Sequence, residues 1–475
     1  MKCPDMYDTI IIGAGMSGLA AGIRLAYFDQ RVCILERHTT IGGLNSFYRL
    51  RGRDYDVGLH AVTNFTPKGS RKGPLARLLR QLRFRWEDFA LSPQIGSSIV
   101  FPDVELRFGN ELEQLRAEIQ RAFPAQTDNF QRLLHRIVDY DDLDQELYDL
   151  SARQVLNETI SDPLLVEMIF CPLMWYGNAR EHDMDFAQFC IMFRSIFLEG
   201  LARPIAGVRL ILKNLVHRFR ELGGELKLRC GVRRIHVDGG QVTGVELDDG
   251  TQLQGRRVLS SAGWRETMRM CRNEDDSMAR EPGRMSFTEA ISVLDREPKA
   301  LGHDRTIVFY NDSDTFHWER CAGRCDVRTG VICSPNNFLY GDVDPATAKK
   351  YLPDGVIRVT TIANFDRWQE LTEEQYALEK LRWYDRAVAS AVRFMPDFRA
   401  HVIETDMFTP TTIRRFTWHD NGAVYGAPKK QFDGKTHLRN LFVCGTDQGF
   451  VGIVGTIISG ISMANQHCLR DWNGA

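Results

Sequence analysis

A short β-branched run, Asp8 to Ile12, passes directly into Gly13-Ala14-Gly15-Met16-Ser17-Gly18, and that succession admits few folds. A G-x-G-x-x-G turn between a strand and a helix is the phosphate-binding turn of a Rossmann-type, doubly wound parallel sheet. Gly13 permits the tight turn, and Gly15 lets the backbone approach a pyrophosphate. Gly18 lets the following helix (Leu19, Ala20, Ile23, Leu25, Ala26) pack close to the sheet. Met16 and Ser17 stand at the start of that helix, whose N-terminus favours anions. Arg31 to Leu35 reads as the second strand and ends in Glu36, placed where a carboxylate accepts both ribose hydroxyls of an adenosine, with Arg37 beside it. An acid at this point repels a 2′-phosphate, so the site suits FAD or NAD rather than NADP.

The glycine doublet Gly42-Gly43 separates those two. It is followed by Leu44-Asn45-Ser46-Phe47 and then by Tyr55-Asp56-Val57-Gly58-Leu59-His60. A doublet after the ribose acid, then aromatic-Asp-x-Gly-x-His, resembles the flavoproteins that group carotenoid desaturases, carotenoid isomerases and retinol saturases within the amine-oxidase-like superfamily. The resemblance implies noncovalent FAD, with Gly42, Gly43, Leu44, Asn45 and His60 added to its binding residues. It also implies action on a C=C or adjacent C–H bond of a hydrophobic polyisoprenoid. The histidine after Asp-x-Gly-x looks more like the saturase branch than the desaturases. Nothing in the pattern marks His38 or His60 as a covalent tether.

The far end of the chain points the same way. Leu438 to Asp447 reads as a strand entering a Gly-Asp turn, and Gly449 to Gly455 opens a helix through Ile457, Ile461 and Ala464. In the resembling family this segment closes the FAD site. Gly445, Thr446 and Asp447 then meet the ribityl and pyrophosphate, and the helix start at Gly452, Ile453 and Val454 faces the isoalloxazine. Backbone N–H groups at a helix start stabilise negative charge on a reduced flavin. The glycines and Asp447 argue against reading 441–463 as a membrane span.

Between the two ends, an amphipathic helix after Pro204 stops at Gly223-Gly224, and strands follow at Glu225–Leu228, Val232–Val237, Gln241–Leu247 and Arg257–Ser261. The resemblance implies that the backbone at Val232 flanks the adenine. Five segments result: 1–75, 204–264 and 425–475 form the FAD-binding domain, 76–203 is helical and substrate- or membrane-facing, and 265–424 is a substrate domain with a mixed sheet. The second domain is therefore expected to be α+β. Its strands are expected at Arg305–Tyr310, Gly330–Cys333 and Val356–Ala363, followed by a helix from Glu373 to Phe394.

Two features of 76–203 bear on the substrate. Leu164–Tyr176 and Phe186–Leu198 are rich in methionine and phenylalanine, including Met168, Phe170, Met174, Trp175, Met192 and Phe193. They read either as core or as the wall of a tunnel for a long hydrocarbon, whose site is built from apolar contact. Leu75, Leu78, Leu79 and Leu82 share a helical face beside Arg77, Arg80, Arg83 and Arg85. That face suits either the protein's own core or an anionic membrane surface, with the core reading slightly preferred. Tyr425, in Gly422-Ala423-Val424-Tyr425-Gly426, resembles the G-x-x-Y-G stretch of the saturase and isomerase relatives and is the candidate nearest the isoalloxazine.

Composition excludes other classes. Sixty lysines and arginines against 62 acids argue against a nucleic-acid partner. Eleven cysteines in 475 residues are not a secreted disulfide framework, and the first strand begins almost at once, so a cytoplasmic protein is expected. Cys321, Cys325 and Cys333 with His317 have poor zinc spacing, and no metal is expected. With no second G-x-G-x-x-G, electrons exchange by direct contact with the flavin. A flavin amine oxidase producing peroxide and a flavin-containing lipid-binding module are the alternatives; the sequence leaves the oligomeric state open.

Overall fold

The computed structural model describes residues 6–140, 150–272 and 280–469. Two seven-stranded sheets organise it. In the first, Met6–Ile12 lies between Val32–Leu35 and Gln252–Ser260, both parallel to it, and Glu225–Lys227 extends the far side in parallel. Gln252–Ser260 is shared along its length. Its start pairs antiparallel with the hairpin of Val232–Asp238 and Gln241–Leu247, and its end pairs in parallel with Leu441–Val443. Three distant stretches of chain thus meet in one sheet with a parallel centre and an antiparallel hairpin.

Apolar patterning explains how the layers close. Met16–Ala26 buries ten of its eleven residues, and its exposure pattern is that of a central helix rather than a surface one. It packs against Gly452–Met463 so closely that a Cβ on Gly460 would stand 2.0 Å from the Ser17 carbonyl oxygen. Val208–Glu221 and Gly73–Leu82 join the same core through Leu212, Leu215, Phe219, Leu75, Leu78 and Leu82.

The second sheet runs in the order Val402–Phe408, Ser286–Leu294, Gly355–Ala363, Cys325–Cys333, Ile307–Asn311, Ser97–Phe101 and Val104–Phe108. Neighbours are antiparallel, except that Ile307–Asn311 and Ser97–Phe101 run in parallel. One face carries Glu373–Ala391; the other packs on a helical layer that includes Pro163–Gly177 and Phe186–Phe193.

Three expectations change. The segment 76–203 is not helical throughout, because the hairpin Ser97–Phe101/Val104–Phe108 forms the edge of the second sheet. Ser286–Leu294 and Val402–Phe408 were not anticipated; the former is buried at all nine positions, which removes the alternation that marks a half-exposed strand. The leucines of Gly73–Leu82 lie in the core while Arg77, Arg80, Arg83 and Arg85 are exposed, so this helix has no apolar face to give to a membrane. Among the described residues, no helix is long and apolar enough to cross a membrane.

Candidate active site

A cleft of about 760 Å³ runs from the glycine turn, along the ends of the first sheet, to the underside of the second sheet. At its outer part the turn has the geometry its sequence implies. Gly13 has φ +96°, and a Cβ on Gly18 would lie 2.1 Å from the Gly13 carbonyl oxygen, so turn and helix are in direct backbone contact. A Cβ on Gly15, by contrast, would reach nothing nearer than the Gly42 carbonyl at 4.0 Å, and one on Gly43 nothing nearer than the Gly15 Cα at 4.0 Å. The two glycines face open cleft. Helix Met16–Ala26 starts there with no side-chain cap and no acid in its first turn, so its leading N–H groups keep their capacity for an anion.

Glu36 is buried at the end of its strand. Its Oε2 accepts from the Ala14 N–H and its Oε1 from the His38 N–H, both at 2.9 Å. Each carboxylate oxygen has a further lone pair for a ribose hydroxyl. Arg37 stacks on Trp418, its guanidinium 3.7 Å from the ring centroid, and with Val232 walls this part of the cleft. Met16, Ser17, Leu44, Asn45, Gly445, Thr446, Gly452 and Ile453 also line it. The open cradle at Gly15 and Gly43, the uncapped helix and the carboxylate fit a dinucleotide.

Three expected binding residues stand off the cleft wall. Gly18 serves helix packing, and Val454 is in the core against the first helix. Asp447 is turned inward: its Oδ2 accepts from the Trp264 N–H at 2.7 Å and its Oδ1 from the Ala427 N–H at 2.8 Å. This carboxylate ties three chain segments together, and its neighbours Gly445 and Thr446 are the ones that face the cleft.

The inner end is built by a buried charge cluster. Asp56 pairs with Arg203 and also accepts from the Val208 N–H at 3.1 Å, capping that helix. Arg203 donates to the Leu59 carbonyl at 2.8 Å, and Arg358 donates to the same carbonyl at 2.6 Å and to that of Val57. These bonds hold residues 56–60 so that His60 reaches the cleft. Its Nε2 is 3.3 Å from Glu289 Oε2 and 3.1 Å from Thr360 Oγ1. Burial lowers the His60 pKa below its ordinary 6.5 despite Glu289, and the ring is neutral at pH 7. For Glu289, burial is the largest single influence and pushes the carboxyl up, but its two partners Arg358 and His60 together pull it down further, leaving it below the usual range and ionised.

Around this cluster the wall is aromatic and aliphatic: Trp175, Tyr176, Phe287, Val331, Val424 and Tyr425. The Tyr425 hydroxyl donates to the Trp175 carbonyl, and its ring meets Phe287 edge-on at 5.8 Å. Trp175 and Tyr176 are the members of Leu164–Leu198 that reach the cleft. Phe193 does not; it is fully buried among Phe130, Phe189 and Phe197. The tunnel expectation is therefore corrected at that residue, where helix-to-helix packing absorbs the apolar side chain.

Glu289, Thr360, Phe287 and Trp418 were missed as cleft residues. The one available signal was Glu289, an acid inside the otherwise uncharged run Ser286–Leu294. No group of three or more histidine, cysteine, aspartate or glutamate side chains among the described residues is arranged for a metal. Cys321, Cys325 and Cys333 make separate contacts, to the Gly323 carbonyl, Thr288 and the His60 carbonyl.

Comparisons with known proteins agree with this construction. The flavin-containing amine oxidoreductase family model matches residues 16–466. The chain is similar to prolycopene isomerase 2 of an Oncidium hybrid cultivar, 22% identical over 97% of this chain and 84% of that protein. It is also similar to the 4,4′-diaponeurosporene oxygenase of Staphylococcus haemolyticus, 23% identical over 92% of each. Among solved structures it resembles an oxidoreductase from Methanosarcina mazei, with TM-score 0.66, 15% identity and coverage of 96% of this chain and 99% of that one. A bound flavin supplies the two-electron chemistry, and the protein supplies binding, orientation and a dry inner wall. With a family match over nearly its whole length, the chain belongs to the flavin-containing amine oxidoreductases and is an FAD-dependent oxidoreductase.

Proposed function

We propose that the enzyme acts on a C=C or adjacent C–H bond of a polyisoprenoid, by desaturation, saturation or isomerisation. The observation that carries this is the inner cleft wall. It is apolar and aromatic, and the carboxylate beside it, Glu289, has its charge compensated by Arg358. A site for a cationic amine needs net negative charge or an open aromatic cage around the nitrogen. Here the acid is already paired with Arg358, so the wall offers an ammonium group no uncompensated carboxylate. The names of the similar isomerase and oxygenase point the same way. FAD would lie with its pyrophosphate at Gly13, Gly15, Met16 and Ser17, its ribose and adenine at Glu36, Arg37 and Val232, and its flavin end toward Gly445, Thr446, Gly452 and Ile453. His60 and Tyr425 would border the reacting bond.

The test is pigment and lipid analysis of cells with and without the gene, alongside peroxide assays of purified enzyme with amines. A changed isoprenoid profile with no amine-dependent peroxide is the expected result; peroxide from amines with an unchanged profile would overturn the reading. We also propose a cytoplasmic, peripheral association with anionic membranes, through the exposed Arg77, Arg80, Arg83 and Arg85 with Lys68, Arg71 and Lys72. Each such cation contributes about 1 kcal/mol near a charged leaflet. Because the leucines of this helix are internal, binding to phosphatidylserine liposomes should be lost in high salt and in the triple variant Arg77→Gln, Arg80→Gln, Arg83→Gln. Retention in either case would exclude this surface.

A further inference from the structure

Helix Pro410–Thr417 follows the edge strand Val402–Phe408 of the second sheet and packs on the turn Gly43–Asn45. Thr412, Ile413, Phe416 and Thr417 line the cleft from it, and so does Trp418, the residue at which it ends. Trp418 has φ +67° and ψ 1°, the left-handed conformation, and its N–H donates to the Arg414 carbonyl at 2.8 Å. Glycine is the usual residue at such a helix end, because a side chain crowds the backbone there. A tryptophan in this conformation is a strained outlier. It is also 40% exposed, so core packing does not account for it.

What the indole does touch is Arg37, whose guanidinium lies 3.7 Å from the ring centroid. A second contact runs alongside, between the rings of Phe416 and His38 at 5.4 Å. On its other side Arg37 reaches the hairpin next to Val232: its Nε is 2.9 Å from where a Cβ on Gly231 would stand, and its guanidinium is 3.9 Å from Asp248. Asp248 is half exposed, and an ion pair of that length and exposure restrains little. The indole face is therefore the main restraint on a side chain that otherwise has many rotamers. Stacking fixes the guanidinium plane while leaving its N–H edge free to donate. That plane stands at the corner formed by Glu36, Arg37 and Val232.

We infer that Trp418 is a positioning residue for the cofactor: stacked on Arg37, it holds the guanidinium at the adenosine corner and slows the release of FAD. The inference rests on the placement of the adenosine at Glu36, Arg37 and Val232 proposed above. It explains why a strained backbone retains a large aromatic ring where glycine would end the helix equally well. The second sheet thereby contributes, through the helix that follows its edge strand, to a site whose motifs all lie in the first.

The experiment dilutes FAD-loaded enzyme to nanomolar concentration and measures the FAD still bound at intervals after desalting. Trp418→Gly, which suits the left-handed turn, should release FAD about tenfold faster than the parent, the equivalent of about 1.4 kcal/mol. Trp418→Leu should behave likewise and Trp418→Phe should stay close to the parent. These two differ in their aromatic face and share the parent's backbone conformation, so their comparison decides even where the glycine variant fails to fold. Arg37→Met should also release FAD faster, and adding Trp418→Gly to it should produce no further acceleration. Equal release rates for Trp418→Leu and Trp418→Phe would overturn the inference. An undiminished effect of Trp418→Gly in the Arg37→Met protein would overturn it too, since the indole would then act on something other than Arg37. In both cases a fast-releasing Arg37→Met protein leaves the adenosine placement standing. Release at the parent's rate from Arg37→Met would put the adenosine elsewhere and overturn the placement and the inference together.

Discussion

Glu289 and Arg358 are diagonal neighbours on adjacent antiparallel strands of the second sheet, two positions apart in register, and the guanidinium Nε donates to Glu289 Oε1 with both side chains almost fully buried. The same arginine bonds the carbonyls of Val57 and Leu59. One ion pair therefore fastens the second sheet to the loop that presents His60. Removing one partner leaves the other charged and unpaired. Glu289→Gln is expected to destabilise the protein by about 3–5 kcal/mol. Replacing both, as in Glu289→Gln with Arg358→Met, should cost less than the sum of the single changes. Urea denaturation of the four proteins checks this, and strict additivity would show that the pair is not coupled.

The buried histidines make the acid side of the stability curve steep. Burial depresses the pKa of His60 and of His303 in the folded state below 6.5. Between those folded values and 6.5 the unfolded chain binds more protons than the native one, so stability falls as the pH drops through that window. Each such group contributes a slope of at most about 1.4 kcal/mol per pH unit. Glu289, whose folded pKa lies below 4.5, adds a further loss only at lower pH. His60→Gln is expected to flatten the limb just below pH 6.5 and leave the more acidic one. Thermal melting from pH 4 to pH 8 reads the difference; identical limbs in parent and variant would show that His60 does not titrate on unfolding.

The open cradle at Gly15 separates folding from cofactor binding. Its φ of −76° suits any residue, and a Cβ there meets no protein atom closer than 4.0 Å. Gly15→Val should therefore fold with the parent's far-ultraviolet dichroism yet be colourless. Glu36→Gln keeps an oxygen acceptor but loses its charge, a change of about 1.5 kcal/mol, and should weaken FAD about tenfold. Flavin absorbance after dialysis measures both. A yellow Gly15→Val protein would place the pyrophosphate elsewhere.

Phe193 offers the opposite case. It is fully buried and off the cleft. Phe193→Asp inserts an unpaired charge among phenylalanine rings, a penalty of several kcal/mol, and is expected to yield insoluble or molten protein. Phe193→Leu, which preserves burial, should fold with FAD bound and a lowered melting temperature. Soluble, FAD-loaded Phe193→Asp protein with selectively lost turnover would return this residue to the substrate route.

The half of the fold built on the glycine turn was legible because its geometry is local. The turn at Gly13–Gly18, the strand that ends in Glu36 and the doublet Gly42-Gly43 need only short-range backbone geometry, and a glycine pattern records such geometry directly. The inner half of the cleft depends on long-range pairings. Glu289 meets Arg358 and His60 because three segments converge beneath one sheet, and Ser286–Leu294 is buried on both faces, so its sequence has no alternation to reveal which side chains face the cleft. Asp447 shows the same limit, since a motif places an acid beside the flavin turn while only the fold turns its carboxylate toward Trp264 and Ala427. Methionine- and phenylalanine-rich helices look alike whether they wall a cavity or fill a core. Trp175 and Tyr176 reach the cleft while Phe193 is held among Phe130, Phe189 and Phe197, a division set by tertiary packing that no local pattern encodes.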